Sequence, residues 1–268
     1  MVFIIAQRKI CQEYTVLLTV YLKVNSKGGI GVFIQIIGPG VVGKATGEGF
    51  KRYGHIIDYV DKGEEIRGAD IHFICTPENE VEDVVARIKS SKWFVGEEII
   101  VVRSSTKPGT INSLMWKYDI HICHNPEFLR ESVAEFEFLN MDRVIIGCCC
   151  KKHGDILEEL YKPFQVPIIR TTPTMSEMIK LTTNAYLSTT ISFWNEINQI
   201  CKKFGLNSHE LGSIVSLDPR IPAYGAKMHG KPFGGKCLPK DLDQMLELYE
   251  DSILLKAVKE VNRGLIDG

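Results

Sequence analysis

The segment Val32–Gly43, which reads VFIQIIGPGVVG, decides the fold of this chain. Its first six residues form a short apolar run of the kind that makes a buried parallel strand. The run continues directly into three glycines with the spacing G-x-G-x-x-G, and a helix-like segment to about Tyr53 follows. This order allows a tight turn and lets a pyrophosphate approach a helix N-terminus. The segment therefore predicts a dinucleotide-binding turn, although a glycine-rich turn without a ligand would share the pattern.

The residues predicted to bind the dinucleotide lie in this turn and after the next strand. That strand, His55–Val60, ends at Asp61, whose carboxylate could bind the ribose hydroxyls. Because the carboxylate would repel a 2′-phosphate, we expect NAD rather than NADP as the cofactor. The cofactor-binding residues predicted in this region are Gly38, Gly40, Val41, Val42, Gly43 and Asp61.

Further strand-like runs alternate with helical segments as far as residue 172. These runs cover residues 70–75, 98–103, 121–124 and 143–146. The alternation predicts an α/β fold with a Rossmann-type, doubly wound parallel sheet, in which ligands bind beyond the carboxyl ends of the strands. The residues expected at that edge are Thr76, Ser105, Thr106 and Glu127. Hydroxyl groups there could touch a nicotinamide or hold a water, but they could equally cap the helices that follow.

An all-α region is predicted after residue 172. Thr174–Glu177 resembles a capping box, and no glycine or proline occurs from there to Phe204, which predicts a spine helix of roughly 30 residues. Lys180 and Asn184 lie one turn apart on it, where they could stabilise an oxyanion or form a polar surface. We therefore expect three parts: an N-terminal extension (1–29), an NAD-binding Rossmann domain (30–172) and a helical dimerisation domain (173–268).

A second glycine-containing segment, Phe233–Asp241 with the sequence FGGKCLPKD, carries a candidate nucleophile. Its adjacent glycines let the backbone approach a ligand closely. Cys237 lies between Lys236 and Lys240, and their positive charges favour the nucleophilic thiolate. Asp241 could orient a lysine or a water. A glycine turn followed by a small buried hydrophobic residue is the alternative interpretation.

Composition and charge argue against several classes of partner. The net charge of −1, with acids and bases intermixed, predicts neither a nucleic-acid nor a membrane partner. No apolar run is long enough to span a bilayer, and the N-terminus lacks the features of a signal peptide. The eight cysteines have no regular spacing, which predicts reduced thiols in a cytoplasmic protein.

Three of the cysteines are consecutive, Cys148–Cys150, and His153 follows closely. Because successive residues of a strand point to opposite faces, adjacent cysteines would not converge on one ion. No second ligand pair with the spacing of a zinc site follows them. We therefore predict no metal site.

Seven motifs, taken in order, resemble the UDP-glucose/GDP-mannose dehydrogenase family of nucleotide-sugar 6-dehydrogenases. They lie between about residues 30 and 262 and read GPGVVG, RSSTKPGT, NPEFLRE, MDRVIIG, SEMIKLTTNAYLSTTISFWNEI, DPRI and FGGKCLPKD. The resemblance implies a four-electron, NAD-dependent oxidation of a sugar primary alcohol to a carboxylate, through a thiohemiacetal and a thioester on Cys237. It also implies a nucleotide-sugar substrate, a role in polysaccharide biosynthesis and a homodimer formed through the helix at residues 175–204.

The resemblance assigns chemical roles to individual residues. The catalytic residues that it implies are Cys237, Lys180, Asn184, Asp241, Glu127, Ser105 and Thr106. Lys180 and Asn184 would stabilise the oxyanion, and Asp241 would place a lysine or a water. Glu127 would assist hydrolysis of the thioester through a water. The family's threonine falls on Ser105, and the residue after it also carries a hydroxyl.

The resemblance also implies a sugar pocket and reveals departures from the family. The implied substrate-binding residues are Phe128, Leu129, Glu131, Lys180, Arg220, Phe233 and Gly234, of which Arg220 would reach the substrate of the partner subunit. Ser132 replaces a glycine, and the insert that usually lies between Asp61 and Ala69 is nearly absent. We expect the family's C-terminal nucleotide-sugar domain to be missing, which would lower kcat as well as affinity. A weak or inactive NAD-binding remnant and a two-electron hydroxyacid dehydrogenase are the alternative functions.

Overall fold

A computed structural model of the chain describes residues 31–267. The N-terminal extension predicted at residues 1–29 lies outside the described residues. The chain divides into two compact units between Glu177 and Met178. Hydrophobic clusters are found within each unit, so each has core packing of its own.

The described part of the first unit contains a seven-stranded sheet. Its strands are β1 (Phe33–Ile37), β2 (Ile56–Val60), β3 (Ile71–Ile74), β4 (Ile99–Val102), β5 (Ile122–His124), β6 (Val144–Gly147) and β7 (Ile168–Thr171). They lie side by side in the order β2-β1-β3-β4-β5-β6-β7. The chain passes from β1 to β2 on one side and then crosses over to β3 on the other side of β1, which creates a topological switch point at the carboxyl end of β1.

Helices cover both faces of this sheet. In residues 31–177 the α-helices preceding the spine helix are α1 (Val41–Arg52), α2 (Glu78–Ser90), α3 (Thr110–Tyr118), α4 (Ala134–Leu139) and α5 (Lys151–Tyr161). Ile34 and Phe73 of the sheet belong to one hydrophobic cluster with α1, α4 and α5. Ile37 and Ile74 belong to a second cluster with α2 and α3. The predicted α/β, Rossmann-type fold is confirmed.

One strand pair departs from the parallel arrangement. His124 of β5 pairs with Gly147 of β6 in the antiparallel direction, whereas β6 and β7 are parallel. The antiparallel pairing places the residue before β5 beside the residues that follow β6. Strand β7, with the sequence IIRT, is short and was not predicted.

The second unit is helical, as predicted. The spine helix α6 (Pro173–Lys203) starts just before the division between the units and has 31 residues. It is followed by α7 (Ser208–Val215), α8 (Tyr224–Met228), α9 (Cys237–Leu248) and α10 (Ile253–Ile266). Among the residues that the structure describes, no helix combines the length and apolarity needed to cross a membrane.

Asn262 of α10 holds the segment that precedes α9. Its Oδ1 accepts the Phe233 N–H at 2.7 Å, and its Nδ2 donates to the Phe233 carbonyl at 3.0 Å. The Phe233 side chain is buried with Ile191, Leu242 and Val258. A side chain from the last described helix therefore fixes the backbone just before Gly234.

Candidate active site

The glycine turn between β1 and α1 fits a bound pyrophosphate. Gly38 has φ +91°, which strains any residue with a Cβ. A Cβ at Gly43 would lie 2.2 Å from the Gly38 carbonyl oxygen, so helix and turn pack too closely for any side chain there. A Cβ at Gly40 would meet no atom within 4 Å. Open space thus lies beside the residue that caps α1, where a phosphate could approach.

The charges around the turn also fit a dinucleotide. Val41 and Val42 begin α1, and the first turn of the helix contains no acidic residue. The Gly38 N–H donates to the Val60 carbonyl at 3.0 Å, so the adjacent Asp61 lies close to the turn. Asp61 is exposed, and its Oδ1 accepts the N–H of Lys62. The structure therefore brings together the predicted glycines and the predicted ribose carboxylate.

Polar residues that follow β3 and β4 lie next to the glycine turn. A Cβ on Gly38 would come within 2.9 Å of Thr76 Cγ2, which places Thr76 against the glycine turn. Ser104 Oγ donates to the Thr76 carbonyl at 2.5 Å and links the two strand ends. Ser105 is half-buried next to this contact.

Thr106, in contrast, is fully buried and its hydroxyl is engaged in the fold. It donates to Glu177 Oε1 at 3.0 Å. The same carboxylate accepts the N–H groups of Gly109 and Ile111 at 2.7 and 3.0 Å. Burial raises the pKa of Glu177, and these three hydrogen bonds oppose that rise. Of the two candidate hydroxyl residues, the geometry favours Ser105 for contact with a ligand.

The capping box expected at Thr174–Glu177 is not formed. Helix α6 begins one residue earlier, at Pro173, and the Thr172 hydroxyl accepts the Met175 N–H at 3.2 Å. The Glu177 side chain instead holds the loop before α3. Sequence reasoning missed this role, because the partners of Glu177 lie almost 70 residues earlier.

The segment after β5 places its predicted residues in different environments. Glu127 is buried, and its Oε2 accepts the Leu129 N–H at 2.6 Å. Phe128 packs under the Arg143 guanidinium at 4.5 Å. Glu131 is exposed.

Within the second unit, α6 and α9 bring two predicted catalytic residues, Asn184 and Asp241, into contact. Asn184 Nδ2 donates to Asp241 Oδ2 at 2.5 Å, and both residues are buried. Lys240 pairs with the other Asp241 oxygen at 2.6 Å. Cys237 lies one helical turn before Asp241, and Lys180 lies one turn before Asn184. These contacts support the interpretation of Phe233–Asp241 as a turn that leads into a polar site. They do not support the alternative of a turn followed by a small buried hydrophobic residue.

Cys237 itself is exposed and is the first residue of α9. The unpaired N–H groups at a helix N-terminus favour a negative charge. No acidic residue lies in the first turn of α9, and Lys236 and Lys240 flank the cysteine. These features support the thiolate form that a nucleophile requires.

The remaining predicted substrate residues differ in accessibility. Gly234 is exposed, and a Cβ there would meet nothing within 4 Å. The Phe233 side chain belongs to the core of the second unit, so only its backbone is placed to contribute to a pocket. Arg220 is exposed and its guanidinium pairs with Asp218 at 2.6 Å.

The strand order and the glycine turn define the first unit as a Rossmann-type dinucleotide-binding domain. Comparison with known proteins gives the family. The NAD-binding domain of the UDP-glucose/GDP-mannose dehydrogenase family matches residues 61–165, and the central domain of the same family matches residues 174–264. The chain therefore belongs to the UDP-glucose/GDP-mannose dehydrogenase family, as its motifs predicted. NAD is accordingly the cofactor of its first domain.

Individual relatives show how much of the family's length is present. UDP-glucose 6-dehydrogenase YwqF of Bacillus subtilis is 33% identical over 290 residues, covering 86% of this chain and 66% of the relative. UDP-glucose 6-dehydrogenase TuaD of the same organism is 36% identical over 217 residues, covering 74% and 47%. The structure of a UDP-glucose dehydrogenase from Pyrobaculum islandicum has the same fold, with a TM-score of 0.80 at 23% identity over 88% of this chain and 69% of that one. This chain thus spans about half to two thirds of these two curated relatives.

Proposed function

We propose that this chain catalyses the NAD-dependent, four-electron oxidation of a nucleotide-sugar primary alcohol to the uronic acid, with Cys237 as the nucleophile. The observation that carries the proposal is the arrangement around α9. Exposed Cys237 begins this helix, and Asp241, one turn later, is held by Asn184 at 2.5 Å. A solvent-accessible thiol next to a buried, ordered polar pair suits covalent catalysis better than a structural role.

NAD supplies the hydride acceptor for both oxidation steps. The backbone of the turn at Gly38, Gly40 and Gly43 would hold its pyrophosphate, and Asp61 would bind the ribose hydroxyls. Thr76 and Ser105, at the ends of neighbouring strands, are the hydroxyl residues proposed to lie near the bound cofactor.

The proposed role of Cys237 is to add its thiolate to the carbon of the aldehyde intermediate. This addition forms a carbon–sulfur bond and places a negative charge on the former carbonyl oxygen. The ammonium of Lys180 and the amide of Asn184 are the donors proposed to stabilise that charge. After the second oxidation the product is a thioester, which water cleaves to the carboxylate with release of the thiolate.

Asp241 is proposed to position rather than to react. Its carboxylate accepts the Asn184 amide hydrogen and pairs with Lys240, so it fixes the orientation of the Asn184 amide. Glu127, in the first unit, is proposed to assist hydrolysis of the thioester. Its buried carboxylate already orders the turn at Leu129.

The proposal includes a homodimer formed through the helix at 175–204 and a cytoplasmic location. An apolar stripe on α6 supports the dimer: Tyr186, Phe193 and Ile200 recur every seven residues and are each about half exposed, at 51%, 55% and 50%. All seven cysteines among the described residues are free thiols, in keeping with a reducing compartment.

The test is to count NADH per sugar. The full chain is mixed with NAD and a panel of nucleotide sugars that includes UDP-glucose and GDP-mannose, and NADH and uronic acid are measured. We expect two NADH per sugar. Cys237→Ser should lose uronic acid formation, because a serine hydroxyl is a poor nucleophile at neutral pH. Cys201→Ser, at a buried cysteine of α6, is the matched control and should keep the stoichiometry.

Two results would replace the proposal with one of its alternatives. One NADH per substrate, with full activity in Cys237→Ser, would indicate a two-electron dehydrogenase of the hydroxyacid type. NAD binding by calorimetry, without any shift in melting temperature on adding nucleotide sugars, would indicate an inactive NAD-binding remnant.

A further inference from the structure

The run Cys148–Cys150 lies at a point where side chains from three elements converge. His121 precedes β5, Cys149 and Cys150 follow β6, and His153 lies in the first turn of α5. One ligand atom from each of these four residues lies within 4.8 Å of the others. We propose that His121, Cys149, Cys150 and His153 form a zinc site.

The antiparallel pairing of β5 and β6 explains why these residues meet. Because His124 pairs with Gly147, the chain before β5 runs beside the chain after β6. A parallel pair would have placed His121 at one edge of the sheet and the cysteines at the other. The expectation of divergent cysteines does not apply, since β6 ends at Gly147 and Cys150 is already the N-cap of α5.

The ligand distances are close to those of a tetrahedral zinc centre. With Zn–S bonds of about 2.3 Å and Zn–N bonds of about 2.0 Å, neighbouring ligand atoms lie roughly 3.3–3.8 Å apart. Cys149 Sγ is 3.2 Å from His153 Nδ1 and 3.9 Å from Cys150 Sγ. The longest separation in the group, at most 4.8 Å, requires a contraction of only about 1 Å.

The chemistry of the donors selects the metal. Two thiols and two imidazoles, without a carboxylate, are a Cys₂His₂ set, which suits zinc better than magnesium or calcium. Binding requires no redox partner: Zn²⁺ replaces the two thiol protons, which are released to solvent, and the imidazoles bind as neutral groups. The resulting centre has no net charge. Four protein ligands leave no open position, so the site would be structural.

The surroundings hold the ligands in place and leave a path for the ion. Arg170 of β7 donates to the Lys151 carbonyl at 3.0 Å and pairs with Asp155 at 2.5 Å, which fixes the turn that carries His153. Cys123 Sγ lies 3.6 Å from Cys149 Sγ and could donate to a bound thiolate. His121 is exposed, so solvent reaches the group.

The site is separate from the glycine turn that is predicted to bind NAD. It lies beside the amino end of β5, whereas the glycine turn lies at the carboxyl end of the parallel strand β1. Bound zinc would join β5 to the start of α5. Its effect would be on the stability of the first unit.

The experiment uses the full chain, purified under reducing conditions without a histidine tag and stripped of metal by chelation. Zn²⁺ is titrated against a chromophoric chelator, and Co²⁺ is used as a spectroscopic probe. We expect one ion per chain, tetrahedral d–d bands and a thiolate-to-cobalt charge-transfer band. At a free zinc concentration about 100-fold above the Kd, the melting temperature should rise by roughly 5 °C or more.

Variants assign the ligands. Cys149→Ser and Cys150→Ser should each weaken the charge-transfer band and the zinc affinity. His121→Gln changes an exposed residue and should fold normally, with an affinity loss beyond the roughly 10- to 100-fold that an outer-shell change costs. Cys148→Ser, in the same run but outside the group, is the matched control and should bind as the unsubstituted chain does.

Three results would overturn the proposal. The first is the absence of a charge-transfer band in the cobalt-loaded chain. The second is a Cys148→Ser variant that loses binding as completely as Cys149→Ser. The third is a loss of free thiols without metal, accompanied by no zinc affinity, which would show that the cysteines form a disulfide instead.

Discussion

His72 is a histidine in the middle of a buried parallel strand. It lies in β3 between β1 and β4, where its neighbours across the strands are Gln35 and Ile100. Its side chain is 2% exposed, and within the described residues its Nδ1 has no hydrogen-bond partner. Burial lowers the pKa of His72 from 6.5 to about 4. The folded protein therefore keeps this imidazole neutral under conditions in which the unfolded chain protonates it.

This residue should make the protein sensitive to acid. Between the folded pKa of about 4 and the unfolded value of 6.5, the unfolded chain binds the extra proton, so stability is complete above pH 6.5 and falls as the pH drops. The loss reaches about 3 kcal/mol at pH 4, at 1.36 kcal/mol for each pKa unit. The His72→Leu variant should not show this loss of unfolding free energy at low pH.

The measurement is urea unfolding of both proteins between pH 7 and pH 4. The difference in unfolding free energy between wild type and His72→Leu should shift steadily in favour of the variant as the pH falls. A difference that stays constant with pH would show that the pKa of His72 is the same in the folded and the unfolded protein.

At the level of elements, two glycines of the turn before α1 are needed for different reasons. Gly43 serves packing, since a Cβ there would lie 2.2 Å from a carbonyl oxygen. Gly40 has an ordinary φ of −71°, and a methyl group added to its Cα would enter open space. We therefore predict that Gly40 is constrained by the ligand, whereas Gly43 is constrained by the fold.

Alanine at these two positions should give opposite results. Gly40→Ala should leave the unfolding free energy within about 0.5 kcal/mol of wild type but weaken NAD binding about 10-fold or more, because its methyl group occupies the approach of the pyrophosphate. Gly43→Ala should cost roughly 1–3 kcal/mol through overpacking. Calorimetric titration with NAD and urea unfolding measure the two effects. Unchanged NAD affinity in Gly40→Ala would place the pyrophosphate elsewhere.

These two kinds of constraint also explain how much could be predicted from sequence. The spacing G-x-G-x-x-G made the glycines at 38, 40 and 43 recognisable, and the long gap between helix breakers revealed α6. The direction of β6 was not visible, because a short run such as VIIG reads the same in either direction. The convergence of His121 with Cys149 depends on that direction and was missed with it. The role of Glu177 was missed for a different reason: its hydrogen-bond partners are distant in sequence.

For the whole molecule, the exposed stripe on α6 predicts a dimer. Tyr186, Phe193 and Ile200 lie on one face of the helix because seven residues are close to two turns. Phe193→Glu should raise the dissociation constant of the dimer at least about 30-fold, since truncated or charged central residues commonly cost about 2 kcal/mol or more. Light scattering coupled to gel filtration gives the mass.

The control places the same charge off the stripe. Gln199 is exposed and lies about 120° around α6 from Phe193. Gln199→Glu should therefore leave the mass unchanged. A monomeric wild-type chain at micromolar concentration would rule out this helix as a dimer interface.

The two hydrogen bonds between Asn262 and the backbone of Phe233 can form only after Asn262 has been synthesised. Phe233 emerges from the ribosome 29 residues before the amide that grips it. During translation, the segment before Cys237 therefore lacks these hydrogen bonds at a stage when the Rossmann sheet can already fold. A nonsense codon between Cys237 and Asn262 would yield a polypeptide that keeps the Rossmann domain and the thiol but lacks the side chain that holds Phe233.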